Sequence, residues 1–128
     1  MADKTILIDT SLFIDYFRKT DKTKTRLVQR ALQGQQFAIS SITEYEIYCG
    51  ATSAQIQFWQ DLLAQIVVLP FDSKAALVAV DIEQKLKKIR RSIDKADLFI
   101  AATAIAHDLP FDTLNQKHFD KIERLLLL

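Results

Sequence analysis

Short apolar runs alternate with longer amphipathic stretches along this chain. Ile6-Leu7-Ile8 stops at Asp9, Phe37-Ala38-Ile39 at a serine pair, and Val67-Val68-Leu69 at Pro70. Leu109 to Thr113 is a fourth such segment. Their length and β-branched content predict buried strands. Between them lie helical patterns. Leu12 to Phe17 follows Thr10-Ser11, with Ser11 as the expected N-cap. Thr25 to Leu32 reads as a second helix, with Gly34 as its C-terminal stop. Ser40-Ser41 cap a helix to about Cys49, which ends at Gly50. Ser53 to Ile66 carries an apolar stripe of Ile56, Trp59, Leu62, Leu63 and Ile66, suited to core or to a partner surface. Ser73 opens a long helix through about Arg91. Ile93 to His107 is apolar nearly all round, so that helix should be buried. Gln116 to Ile122 predicts a brief helix, and Leu125 to Leu128 an edge strand or packed tail. Alternating strands and helices predict an α/β fold around a mainly parallel sheet.

Composition narrows the class. At 128 residues, 49% apolar and 26% charged, residues 1–128 fit one ordinary globular domain. Two Gly and two Pro argue against a linker-rich architecture. No apolar run approaches the roughly 18–20 residues that span a bilayer, so no membrane role is expected. The N-terminus lacks a signal-peptide pattern. The single Cys49 forms no internal disulfide and fits a cytoplasmic protein, with helix-face packing as its expected role. Net charge is only +1, but cations cluster in two runs. One spans Arg18 to Arg30 and the other Lys85 to Lys95. Such runs are usually solvated helix faces; flanking an acidic pocket, they would also suit a polyanion.

Four polar residues stand where a wound sheet gathers its chemistry. Asp9 follows the first strand, Glu46 lies within a helix, Asp97 lies near a helix start, and Asn115 closes the fourth strand. Each has a plain alternative: a turn acid for Asp9, a solvent-facing acid for Glu46, and a cap-region acid for Asp97. In an open α/β sheet, ligands bind outside the carboxyl ends of the strands. Carboxylates converging there would repel one another without a cation. Mg²⁺ or Mn²⁺ takes oxygen ligands and would resolve that conflict. Phosphodiester hydrolysis is the chemistry such a site suits.

The same residues fall into four ordered blocks. ILIDTSLFIDYFRK reads strand–Asp–Thr–Ser–helix, and ISSITEYEIYCGA contains Thr-x-x-Glu-x-x-x-Gly. ADLFIAATAIAHDLP contains Asp-x-x-Ile-Ala-Ala, and TLNQKHF closes the set. Together they resemble the PIN-domain ribonucleases, and within them the VapC-type toxins of bacterial type II toxin–antitoxin pairs. The resemblance covers nearly the whole chain. It selects Glu46 over Glu44 and Asp97 over Asp94. It implies a three-layer α/β/α sandwich with a mainly parallel sheet. It implies Asp9 and Asp97 as principal metal ligands, directly or through water, with Glu46 completing the acidic cluster. Asn115 stands at the position of a fourth acid. Ser11 and Thr113 would hold the site through hydroxyl hydrogen bonds. The implied activity is Mg²⁺- or Mn²⁺-dependent endoribonuclease cleavage of RNA. The implied partners are a VapB-type antitoxin and a second copy of the chain.

Several residues depart from the family pattern. Asn115 is neutral, which weakens any second metal. Ser11 replaces the more usual Asn. Asp112 falls where an apolar strand residue is expected, and solvent exposure is its expected fate. His118 occupies a variable slot, with a structural role favoured over that of a base. The competing functional class is a catalytically impaired PIN-like module that binds RNA or protein through its basic patches. A related nuclease acting on DNA is a weaker alternative, since the chain lacks room for added DNA-gripping elements.

Overall fold

The computed structural model describes residues 4–128. Its sheet has four parallel strands: β1 (Thr5–Ile8), β2 (Gln36–Ser40), β3 (Val67–Leu69) and β4 (Phe111–Asp112), in the order β3-β2-β1-β4. The chain therefore steps outward from β1 to β3, then returns to place β4 on the other side of β1. That reversal opens a crevice at the carboxyl ends of β1 and β4. Leu7 pairs with Phe111 and Ile8 with Asp112, so Asp9 and Thr113 leave the sheet side by side.

Helices cover both faces, completing the α/β/α sandwich. They are α1 (Thr10–Arg18), α2 (Arg26–Leu32), α3 (Ser41–Gly50), α4 (Ile56–Leu63), α5 (Ser73–Lys88) and α6 (Lys95–Ala106). Strand alternation sorts β1 between two cores. Ile6 and Ile8 pack with Leu12, Phe13, Leu27, Ile39, Ile47, Trp59 and Leu63. Leu7 joins the opposite cluster with α5, α6, Phe111 and Phe119. Helix α6 is buried along most of its length, including Ala101, Ala102 and Ala104, which permit close packing against α5.

Several local expectations shift. Asp9, not Ser11, caps α1, because its carboxylate accepts the Ser11 N–H and the helix begins two residues earlier than a Ser11 cap would set. Asp72 similarly caps α5 in place of Ser73. The stretch after Asn115 forms only a 3-10 turn at Gln116–His118. The C-terminal tail reaches the sheet through a single parallel bridge between Leu127 and Phe111. Trp59 and Leu63 are core residues, with Trp59 edge-on to Phe13. Cys49 is exposed rather than packed.

Asp112 corrects the expectation most. It is fully buried, and two arginines of α2 enclose it. Arg26 Nη1 donates to Oδ1 at 3.0 Å and Arg30 Nε to Oδ2 at 2.9 Å. A carboxylate can occupy that strand position only because both oxygens are charge-paired. Lys22 also acts structurally, donating to the Phe17 carbonyl at 3.0 Å at the end of α1. Much of the first basic run thus stabilises the fold.

Candidate active site

Asp9 sits at the bottom of the crevice with 4% of its surface exposed. Its position follows from strand β1, which is buried on both faces and delivers its next residue straight to the carboxyl edge. Oδ1 accepts the Ser11 N–H at 3.1 Å and the Ser11 hydroxyl at 2.5 Å. Oδ2 accepts the Thr113 hydroxyl at 2.7 Å. Ser11 and Thr113 are held in turn. The Leu114 N–H donates to Ser11 Oγ at 2.9 Å, and the Asn115 N–H to Thr113 Oγ1 at 3.0 Å. The Ser11 and Thr113 hydroxyls thus both donate to the Asp9 carboxylate.

A cleft of about 890 Å³ lies above this network. Asp9, Ser11, Glu46, Asp97 and Asn115 all line it, whereas Thr113 lies beneath, reaching the site through Asp9. Glu46 comes from the middle of α3, and Asp97 from the first turn of α6. Burial pushes the Asp9 carboxyl above its usual range against the pull of its hydroxyl donors, and the Asp97 charge adds to the rise. Asp97 is raised too, chiefly by burial, with Asp94 and Glu46 contributing and His118 opposing. Asp9 and Asp97 thus both resist ionisation, chiefly through burial and in part through a neighbouring carboxylate.

Three further residues border the site: Thr10, to which the sequence reading gives no role, Asp94, which it sets aside for Asp97, and His118, for which it favours a structural role. Thr10 donates to Glu46 Oε1 at 2.6 Å, tying α1 to α3 across the cleft. A hydroxyl directly after the strand-end acid was its signal. Asp94 caps α6 through the Ala96 N–H and also lines the cleft. His118 Nδ1 lies 3.1 Å from Asp97 Oδ2, giving this exposed imidazole a direct place beside a site acid.

The donor set suits a hard divalent cation. All its side chains offer oxygen, and about one of the roughly four acceptor positions on Asp9 is left by its protein donors. Among the described residues, no three His, Cys, Asp or Glu side chains stand ready to enclose a metal ion. Mg²⁺ does not require enclosure: it keeps several waters and is commonly held by one or two carboxylates. Asp9 and Asp97 offer two carboxylates to the same cleft, and Glu46 a third.

Comparison with known proteins agrees with this architecture. The PIN domain family model matches residues 6–125. Ribonuclease VapC1 of Methanocaldococcus jannaschii is 35% identical over 119 residues, covering 92% of this chain and 81% of that protein. A toxin–antitoxin complex from Klebsiella pneumoniae aligns with a TM-score of 0.74 at 29% identity, covering 96% and 95% of the two chains. VapBC-1 from nontypeable Haemophilus influenzae shares the fold, with a TM-score of 0.83 at 24% identity over 97% and 96%. The chain belongs to the PIN domain family, within its VapC group.

Proposed function

We propose that this chain is the ribonuclease toxin of a VapBC-type toxin–antitoxin pair and hydrolyses RNA phosphodiester bonds with a divalent cation, Mg²⁺ or Mn²⁺. The observation that carries the proposal is the meeting of Asp9, Glu46 and Asp97, from three separate elements, in one cleft at the reversal of strand order. The likeness to named VapC ribonucleases supports RNA as the substrate.

Asp9 and Asp97 would hold the cation, and Glu46 would orient a water for attack. A bound cation supplies a Lewis acid that promotes attack by water and offsets charge on the phosphate. Ser11 and Thr113 fix the Asp9 carboxylate, limiting its rotation as the cation binds. Thr10 does the same for Glu46. Asn115 contributes a neutral polar wall, which favours a single tightly held cation over two. Arg18 and Lys19 at one lip attract the RNA backbone. A VapB-type antitoxin is the proposed protein partner, supported by the solved toxin–antitoxin complexes with this fold. A homodimer is the proposed assembly.

Incubating purified protein with total cellular RNA in Mg²⁺, Mn²⁺ or EDTA tests the proposal. Discrete fragments that require the metal are expected. RNA that is bound but uncut under every metal would instead assign the chain to a binding module.

A further inference from the structure

Three helices of this fold end in the same way. After α2, α5 and α6 the chain turns through a left-handed residue, at Gly34 (φ 83°), Arg90 (φ 57°) and Asp108 (φ 58°). Each turn carries the paired backbone bonds of a Schellman motif. At α5, Arg90 N–H donates to the Lys87 carbonyl at 3.0 Å and Arg91 N–H to the Leu86 carbonyl at 2.9 Å. Glycine is the low-energy residue at such a position, and Asp tolerates it. Arginine does neither. Complementing the helix dipole does not demand it, since Lys85, Lys87 and Lys88 already occupy the last turn of α5.

What Arg90 gains is its location. It lines a cavity of about 480 Å³ together with Lys117, Asp94, Asp97 and His118. The last three also line the acidic cleft, so the two spaces adjoin. Among the described residues, the Arg90 and Lys117 side chains make no hydrogen bond or ion pair. Two unpaired cations thus line the cavity that adjoins the acidic cleft, whereas Arg18 and Lys19 line the cleft itself. A polynucleotide crossing the acidic centre needs its flanking phosphates neutralised, and a guanidinium matches phosphate oxygens in a fork.

Resting on the ribonuclease reading above, we propose that Arg90, with Lys117 beside it, binds a backbone phosphate of the RNA strand next to the cleaved bond. The strained backbone at Arg90 is retained for this contact.

The proposal predicts that one substitution moves stability and binding in opposite directions. In an Asp97→Asn background, which blocks cutting, a fluorescein-labelled mixed-sequence 12-nucleotide RNA is titrated by anisotropy. Arg90→Gly should raise Tm by about 3 °C, because glycine relieves the left-handed turn. It should weaken RNA binding about fivefold at 0.1 M salt and lower the salt slope by about 0.7, the loss of one phosphate contact. Arg90→Asn, which also tolerates the turn, should weaken binding equally. Arg90→Lys should keep most of the affinity and leave Tm unchanged. Unchanged affinity and slope in Arg90→Gly, or a fall in its Tm, would overturn the assignment. If the parent bound RNA while Arg90→Gly bound equally well, only this inference would fail. If the unsubstituted chain neither bound nor cut RNA, the ribonuclease reading would fail with it.

Discussion

Thr113 donates a 2.7 Å hydrogen bond to Oδ2 of Asp9, joining the ends of β4 and β1 beneath the acidic cleft. The same hydroxyl oxygen accepts the Asn115 N–H. Thr113 therefore fixes both a site acid and the loop that carries Asn115. Thr113→Val keeps the shape and removes both bonds. It should destabilise the fold by about 1–3 kcal/mol, the cost of leaving buried polar groups unpaired. RNA cleavage should fall by about 10-fold or more. Thr113→Ser should restore most of both. Urea denaturation and a cleavage assay on the three proteins check this.

Burial raises the Asp9 carboxyl pKa in the folded chain. A raised folded pKa means the folded state holds the proton more tightly than the unfolded state. The stability Asp9 contributes is therefore greatest below the usual carboxylate range. It is lost as pH rises through the folded pKa. Asp9→Asn removes this dependence. In metal-free buffer, the wild-type-minus-variant stability difference should fall across that window and then level off. At neutral pH the variant should be at least as stable as the parent while failing to cut RNA. Denaturation at a series of pH values in EDTA measures the difference directly.

A cation bound only by the folded state should reverse that deficit. At a concentration 100-fold above its Kd, Mg²⁺ or Mn²⁺ adds about 2.7 kcal/mol of stability. The parent should show a rise in Tm that saturates with metal, and Asp9→Asn and Asp97→Asn should show little or none. Thermal scans across a metal titration read this without reference to activity.

Asp112 and its two arginines make a separate claim on stability. Asp112 is fully buried, whereas the Arg26 and Arg30 side chains are 34% and 20% exposed. Removing the carboxylate strands two cations around an apolar strand end. Removing one arginine leaves the acid its other partner. Asp112→Asn should therefore cost about 3–5 kcal/mol, and Arg26→Ala or Arg30→Ala less. Urea midpoints of the three variants rank them.

How much of this the sequence reveals depends on the range of each interaction. Asp9 is legible because a buried strand ends on it, and the α3 and α6 patterns place Glu46 and Asp97 on helices. Asp112 is not, because a buried acid resembles an exposed one until its partners are known. Those partners lie 86 and 82 residues away. The α1 cap lies two residues before the serine that the pattern favours, since Asp9 and Ser11 are both good caps. Only the folded geometry shows that Asp9 serves the helix and the site at once. Arg90 looks like one more cation in a basic run. Its left-handed backbone sets it apart.

The central claim is that these acids work together on a cation to cut RNA. Its most direct test compares the chain with Asp97→Asn for cleavage of total RNA in Mn²⁺, with circular dichroism to verify folding. The account predicts discrete fragments from the parent and a loss of at least about 100-fold in the folded variant. A folded Asp97→Asn protein cutting RNA at an undiminished rate would contradict it.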